Sequence, residues 1–557
     1  MKIITKYNRG IVKIIGRIIL SAMLFAGLYS CTDDFLERDP LDKISDALVW
    51  EDISLMDAYV SETYAQMRSP HSNHYYLSTA SDESFARERT PAHLVQRGEI
   101  NSSSMGRFGY AWPEYYRTIT RSNIFTSNVE GRDYSDFTDA ELEKLDQLIG
   151  EMKFHRAWAY FRLSSYFGGV PLVTKPFTLS DDFMMPRDSY DDVINFIIQD
   201  LDEATDLLPL EHSSDQVGRI TKGAAMALKS RVLLYYASPL NNPDNDMSRW
   251  QDAADAAKAV IDLGIYSLHP DYGELFREEA NFNNNEYIYE MVINNQIRRR
   301  MRMERDMYPN GMGGWAVLVP SHNQVEAYET ANGLYIDEDP DFEFTKFWEN
   351  RDPRFYATIL YNGAFFRDRE IELFLPGGLD SFEGPTGPWN ASYTGYYNRK
   401  MVSYLYGDLG GNNTSSPNWP YIRYAEILLN YAEALYNLGE EGLAREAINE
   451  VRSRPSVSMP DVTDSGEDLL KRIMNERQVE LFMEEHRFFD IRRWKLTFPE
   501  DYTIQKMNYE IDPDSGEMEY FLTDVIEFRL PEHTYRLPIP LDEITRNPLL
   551  EQNPGYN

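Results

Sequence analysis

Apolar residues recur at helical spacing along most of the chain. Residues three, four and seven positions apart lie on one face of a helix, so each such run predicts an amphipathic helix. Ser189 and Asp192 stand ahead of one run with the spacing of an N-terminal capping box. The runs are Leu145, Leu148, Ile149 and Met152; Val193, Phe196, Ile197, Leu201, Ala204 and Leu208; the Ala-rich stretch from Gly223 to Ala237; and Trp250, Ala253, Ala254, Ala257, Val260 and Ile261.

A narrower stripe near the C-terminal end alternates small and large residues: Ala425, Leu428, Ala432 and Leu435. Small residues let helices approach closely, as they do in tetratricopeptide helix pairs. No strict 34-residue period holds across the chain. We therefore predict a mainly α fold in which tetratricopeptide-like helix pairs pack on their neighbours to form a scaffold.

The middle of the chain has a different pattern. Residues 271–418 hold 14 of the 32 glycines, together with many Asn, Pro and Tyr residues. This composition breaks helices and predicts a loop-rich insert that carries short strands. Because binding residues concentrate on loops held by a rigid scaffold, we expect ligand-binding residues in this insert. No Pro/Ser-rich linker separates the two halves, which favours one composite domain.

The first 30 residues have the pattern of a lipoprotein signal peptide. They contain five basic and no acidic residues, and the 11 residues from Ile18 to Leu28 are uncharged and largely apolar. This run is too short for a bilayer span, which needs about 20 residues, but it suits a signal-peptide core. Leu28-Tyr29-Ser30-Cys31 resembles a lipobox. We predict a lipoprotein signal peptide at residues 1–30, lipidation of Cys31, and a lipidated tether at residues 31–48.

Composition and charge exclude several functions. The 90 acidic residues outnumber the 55 basic ones, which gives a formal net charge of -35. Nucleic acid is not an expected partner, because phosphate contacts need a basic footprint. A single cysteine excludes disulfides within the chain and a Cys-rich metal site. The 38 Tyr, 28 Phe and 9 Trp residues supply rings that suit the faces and edges of a sugar.

No complete catalytic motif occurs in the sequence. Gly218 to Gly223 has the glycine spacing of a phosphate-binding loop, but Ala224-Ala225 stands where that loop needs Lys and Ser or Thr. The nine histidines show no metal-ligand spacing, and no Gly-x-Ser-x-Gly elbow occurs. The acid pairs Asp82-Glu83 and Asp181-Asp182 resemble those of glycoside hydrolases, but 90 acidic residues produce such neighbours by chance. We predict no catalytic residue, no metal site and no cofactor.

Several short blocks then carry a family resemblance. With these blocks the chain from Cys31 to Asn557 resembles the SusD/RagB family of nutrient-uptake lipoproteins. The resemblance implies an N-terminal helical part at residues 49–270 and a C-terminal part at residues 271–557, with the loop-rich insert at 271–418 and closing helices after it. The blocks are Asp34 to Leu36, Ala157 to Leu172, Gly218 to Lys222, Arg351 to Arg354, Tyr421 to Leu435, Glu476 to Trp494, Leu537 to Pro540, and Gln552 to Tyr556.

The block from Glu476 to Trp494 also places opposite charges three positions apart. Arg477 with Glu480, and Glu484 with Arg487, have the spacing that supports a helix by a few tenths of a kcal/mol. We predict a structural ion-pair network at these residues rather than a catalytic one.

The resemblance implies a role as well as a fold. Family members lie over a SusC-like TonB-dependent transporter in the outer membrane, capture oligosaccharide and pass it inward. Thr32-Asp33-Asp34 resembles the surface-export signal of Bacteroidetes lipoproteins, which implies a lipid-anchored protein facing the cell exterior. The same role with oligopeptide cargo is an alternative. A surface glycoside hydrolase is a second alternative, disfavoured by the helical pattern and the missing motifs.

Family binders use an arc of aromatic rings with polar groups beside it. By position, the resemblance assigns Trp112 to the early part of this arc and Tyr308 and Trp315 to a Gly-rich loop, with Trp389 as a further member. Arg300 belongs to a basic cluster, and its planar guanidinium would bind carboxylate or sulfate if the oligosaccharide is anionic. The alternative for the aromatic residues is core packing, and for the cluster a solvated face paired with acids.

Overall fold

The fold is described from a computed structural model of the chain. The structure describes residues 46–66, 75–87, 90–178, 180–281, 284–293, 303–374, 376–403 and 417–556. The predicted signal peptide, Cys31 and Arg300 lie outside these residues. The chain divides into two compact units, Met1–Tyr59 and Val60–Asn557.

The described part of the first unit contains helix α1 (Asp46–Val49) and the start of helix α2 (Ile53–Gln66). The Asp52 carboxylate accepts hydrogen bonds from the amides of Ser54 at 2.8 Å and Leu55 at 3.2 Å. This cap satisfies amide groups that the first turn of a helix leaves without an acceptor.

Long helices dominate the second unit, and each packs on its neighbour in the chain. Contacts join α5 to α6, α6 to α7, α7 to α8, α8 to α9, and α9 to the closing helix α13. This confirms the predicted mainly α fold built on packed helices. The helices that follow α2 are α3 (Tyr75–Ser78), α4 (Pro91–Gln96), α5 (Ala111–Val129), α6 (Asp139–Phe167), α7 (Tyr190–Leu207), α8 (Lys222–Ala237), α9 (Met247–Ile261), α10 (Met303–Met307), α11 (His322–Ala327), α12 (Pro353–Thr358), α13 (Tyr424–Asn437), α14 (Glu441–Arg452), α15 (Gly466–Glu480), α16 (His486–Arg493) and α17 (Leu541–Arg546).

Local residues set the ends of these helices. The Ser189 hydroxyl accepts a hydrogen bond from the Asp192 amide at 3.0 Å, which confirms the predicted start of α7. Thr138 and Glu141 form a reciprocal capping box at the start of α6. The same helix ends at Gly168, whose φ of +80° is a conformation that glycine adopts without strain.

The stripe of small and large residues on α13 is buried, as the sequence predicts. Ala425 and Ala432 have no exposed surface, and Leu428 and Leu435 are also buried. Helix α13 contacts α8, α9, α14 and α15. The small side chains let this one helix pack against four others, because they leave room for close backbone approach.

The loop-rich insert carries short strands, as predicted, and the five sheets found among the described residues each have two antiparallel strands. The pairs are β1–β3, β2–β8, β4–β7, β5–β6 and β9–β10. The longest hairpin, β9–β10, lies after the insert and was not anticipated. The strands are β1 (Ser84–Ala86), β2 (Tyr287–Met291), β3 (Leu318–Pro320), β4 (Ile359–Leu360), β5 (Phe365–Phe366), β6 (Arg369–Glu370), β7 (Tyr397–Asn398), β8 (Trp419–Arg423), β9 (Thr503–Ile511) and β10 (Met518–Glu527).

The charged residues around the end of α15 form buried ion pairs, but not the pairs predicted from spacing. The Arg477 guanidinium contacts Asp490 at 3.3 Å, and Arg487 binds both oxygens of Asp82 at 2.6 and 2.7 Å. Glu484 pairs with Lys400 at 2.7 Å. The predicted i, i+3 pairs are wrong for two reasons. Arg477 and Glu480 both lie on α15, but each is buried against charged partners from other segments. Glu484 lies after the end of α15 and before α16, which carries Arg487, so these two residues do not share one helix.

At the centre of this network lies Glu480, whose side chain has no exposed surface. Its two oxygens accept hydrogen bonds from Arg423 at 2.7 Å, Arg454 at 2.9 Å and Arg354 at 3.0 Å. These arginines come from β8, from the segment after α14, and from α12. The network therefore joins the insert to the closing helices.

Candidate functional site

Two tryptophans of the insert lie on the surface, held by loops. The exposed fraction is 45% for Trp315 and 77% for Trp389. Trp315 follows Gly313, which has a left-handed backbone, and Gly314, where a Cβ would lie 2.0 Å from the Tyr308 carbonyl oxygen. Glycines are therefore required for the turn that presents Trp315 to solvent.

Arg87 links the loops that carry these two rings. Its Nη1 donates hydrogen bonds to the Trp315 carbonyl oxygen at 3.1 Å and to the Asn390 side-chain oxygen at 3.0 Å. Its guanidinium carbon lies 5.2 Å from the centre of the Trp389 ring. Arg305 lies over Trp315 in the same way, at 4.4 Å. Cation–π contacts of this kind help to orient both rings.

The other sequence-predicted aromatic residues are buried. Trp112 is 5% exposed, and its ring packs edge-on against Phe167 at 5.2 Å inside the helical core. Tyr308 has no exposed surface, and its hydroxyl donates to the Ser403 carbonyl oxygen. A buried ring offers no face on which a ligand can stack. Trp315 and Trp389 are therefore the predicted rings that the fold leaves accessible.

A cleft lies between the loop that carries Trp389 and the β9–β10 hairpin. Its volume is about 210 Å³, and its lining includes Phe382, Tyr393, Lys506 and Tyr509. Phe382 and Tyr393 are 42% and 40% exposed, and their rings meet edge-on at 5.5 Å. Sequence reasoning missed this cleft and Arg87, because their residues come from segments far apart in the chain.

The acid pairs considered for catalysis make structural contacts. Arg487 holds the Asp82 carboxylate in the interior. Burial raises the pKa of the neighbouring Glu83 to about 8, and the Ser78 hydroxyl donates to this carboxyl. Asp181 accepts a hydrogen bond from the Thr178 amide at 2.6 Å, a local turn contact.

Within the described ranges, no group of three or more His, Cys, Asp or Glu side chains is arranged to hold a metal ion. Among the helices that the structure describes, none has both the length and the apolar character needed to cross a bilayer.

Family models match most of the chain. A model described as the SusD family matches residues 276–556, just over half of the sequence. A second model, described as starch-binding and associating with the outer membrane, matches residues 34–234. The two matches lie in the order expected from the short sequence blocks.

Individual relatives give the same result. A SusD-like protein of Bacteroides ovatus is 23% identical over 574 residues, covering 96% of each chain. A crystal structure of a SusD-like protein from Bacteroides fragilis is 29% identical, with a TM-score of 0.77, and the match covers 93% of this chain and 100% of that one. A SusD-like carbohydrate binding protein from the same species is 27% identical, with a TM-score of 0.74 and coverage of 90% and 99%. On the family match and these likenesses, the chain belongs to the SusD family.

Proposed function

We propose that this protein is a cell-surface lipoprotein of the outer membrane that binds oligosaccharide and delivers it to a TonB-dependent transporter. The observation that carries the proposal is the pair of exposed rings, Trp315 and Trp389, joined by Arg87. A monomeric protein rarely exposes large aromatic side chains together unless they contact a partner or ligand.

The surface formed by the two indoles suits a sugar. A pyranose ring presents C–H groups on its faces and hydroxyls at its edge, so an indole can pack on the face. Beside the two indoles, Arg87 and Asn390 supply polar groups that can form hydrogen bonds. Ligand sites commonly combine apolar area with a few polar groups that fix orientation.

The relatives support the same function. One solved structure of similar fold is titled a SusD-like carbohydrate binding protein, and one matching family model is described as starch-binding. The words "associating with outer membrane" in that description support the proposed location. The family resemblance of the sequence blocks supports delivery of the oligosaccharide to a transporter.

A binding role also agrees with the chemistry of the site. Among the described residues, Arg87 and Arg305 lie over the two indoles and Asn390 bonds to Arg87, and none of these three side chains is a usual nucleophile or general base at neutral pH. The protein therefore needs no turnover to perform the proposed task.

Calorimetry with purified protein tests the proposal. The panel contains neutral hexasaccharides from starch, xylan and mannan, acidic hexasaccharides, and oligopeptides of similar length. We expect an oligosaccharide to bind, and Trp389→Ala or Trp315→Ala to weaken it by about 1–3 kcal/mol, roughly 5- to 150-fold in Kd, the size found for bases stacked on aromatic residues.

Phe183→Ala is the matched control, because Phe183 is 54% exposed and packs against Phe177 elsewhere on the surface. Parent-like affinity in both tryptophan variants would contradict the assigned surface. If the protein binds oligopeptides and no oligosaccharide, its cargo is peptide instead of sugar. Delivery is tested by purifying the tagged protein from the outer membranes of the cells that produce it. If no TonB-dependent transporter purifies with the protein, delivery to such a transporter is contradicted.

A further inference from the structure

Two cations beside the aromatic surface have no carboxylate partner among the described residues. The Arg87 side chain donates hydrogen bonds to the Trp315 carbonyl and the Asn390 amide oxygen. Among the described residues, the Lys506 side chain has no hydrogen bond or ion pair, although it lines the cleft. Elsewhere arginines such as Arg423 and Arg454 are matched by buried glutamates. In a chain with a net charge of -35, cations without an ion pair among the described residues are available to bind an anionic ligand.

The cleft that contains Lys506 adjoins the tryptophan surface. Phe85 and Arg87, two residues apart along the β1 segment, contact Tyr393 and Trp389, respectively, with the Phe85 and Tyr393 rings 6.3 Å apart. Residues two apart in an extended chain are separated by about 6.5 Å. The step from Trp389 to the mouth of the cleft is therefore short, on the scale of one or two sugar units.

We propose that this cleft is a second subsite of the same ligand surface and takes a sugar that carries a carboxylate or sulfate group. The Lys506 ammonium is the counter-charge, and Phe382 and Tyr393 pack against the sugar ring. This assignment rests on the proposed function, because it extends the surface formed by Trp315 and Trp389.

The charged side chains of the cleft determine whether it binds an acidic or a neutral sugar more tightly. Lys506 is partly buried on β9 and lines the cleft. An anion placed beside its ammonium group would accept a charge-assisted hydrogen bond. Two carboxylates also line the cleft. Asp380 is buried and paired with Arg369, whereas Glu383 is exposed and has no ion pair within the described residues. Its carboxylate opposes anion binding, and its removal should strengthen it.

The test uses matched pairs of probes. One pair is hexagalacturonate and its carboxyl-reduced form, and the other is a κ-carrageenan hexasaccharide and its desulfated form. Calorimetry at low and high salt compares the parent with Lys506→Met. We expect the parent to bind the acidic member of at least one pair about tenfold more tightly than its neutral counterpart, the size of a hydrogen bond to a charged group. A preference within the first pair indicates a carboxylate ligand, and a preference within the second pair indicates a sulfate ligand.

Lys506→Met should remove this preference and leave affinity for the neutral member unchanged. Glu383→Gln should increase the preference for the acidic member. Lys471→Met is the control, because Lys471 is an exposed lysine of α15 that does not line the cleft. Equal affinity for both members of each pair, failure to bind either acidic probe, or an unchanged preference in Lys506→Met would overturn the subsite. Melting curves check that each variant is folded.

The Trp389 and Lys506 variants distinguish failure of the subsite from failure of the proposed function. If Trp389→Ala loses oligosaccharide while Lys506→Met does not alter any affinity, the subsite is wrong and the proposed function stands. If the parent binds no oligosaccharide, or the tryptophan variants bind as the parent does, the proposed function fails and the subsite fails with it.

Discussion

Replacing Glu480 by glutamine tests whether the buried ion-pair network holds the insert against the closing helices. The Glu480 carboxylate is fully buried at the end of α15 and accepts hydrogen bonds from three arginines at 2.7–3.0 Å. Glutamine keeps the shape of the side chain but removes its charge. It also turns an NH₂ group toward a guanidinium, where two donors meet and neither finds an acceptor.

The expected cost follows from that loss. Removing one partner of a buried ion pair costs about 3–5 kcal/mol, since the remaining charge stays buried without compensation. Unfolding entropy grows by about 2.1 cal/mol/K per residue, so a chain of this length loses roughly 1 °C of melting temperature for each kcal/mol. We therefore expect Glu480→Gln to lower Tm by about 3–5 °C at neutral pH.

The same residue predicts a pH dependence. Burial alone would raise the pKa of the Glu480 carboxyl, but the guanidinium groups of Arg423, Arg454 and Arg354 outweigh burial and hold this pKa well below its usual range. A carboxyl of this kind contributes stability above its unfolded pKa, about 4.3, and loses it as pH falls toward the folded pKa. The parent should lose stability below about pH 4.3, and Glu480→Gln should lose less over the same window.

Differential scanning calorimetry between pH 3.5 and 7.5 measures both effects. Glu467→Gln is the matched control, because Glu467 is an exposed glutamate in the first turn of the same helix. We expect the control to melt within about 1 °C of the parent, as surface substitutions usually do. If Glu480→Gln also melts within about 1 °C of the parent while its circular dichroism is unchanged, the network does not stabilise the fold as argued.

Three further substitutions test other parts of the molecule. Ala432→Leu should cost about 1–3 kcal/mol, because the buried face of α13 has no room for a larger side chain; an unchanged melting curve would contradict the helix packing. Gly169→Ala should reduce folded yield, because its Cβ would lie 2.1 Å from the Asp188 carbonyl oxygen, whereas Gly442→Ala, with no atom within 4 Å of its Cβ, should not. Cys31→Ala should abolish membrane attachment of the mature protein in cell fractionation, and recovery of the variant in the outer membrane would refute lipid anchoring.

The helical elements could be predicted from the sequence because their determinants are local. The stripe on α7 and its Ser189 cap lie within one helix, and so do the small residues that bury α13. The family resemblance assigns Trp315 to a Gly-rich loop, and the turn at Gly313 and Gly314 presents this ring to solvent. These inferences needed only residues a few positions apart, where chain geometry limits the possible contacts.

The tertiary structure decided which distant residues meet. Spacing suggested that Arg487 pairs with Glu484, yet its partner is Asp82, 405 positions away. Arg87 joins loops that lie 228 and 303 positions further along the chain, and the same folding buries Trp112 and Tyr308 while leaving Trp389 exposed. Local periodicity determines which face of a helix is apolar. The partner of a buried charge and the exposure of a ring depend on how the elements pack, which no short stretch of sequence contains.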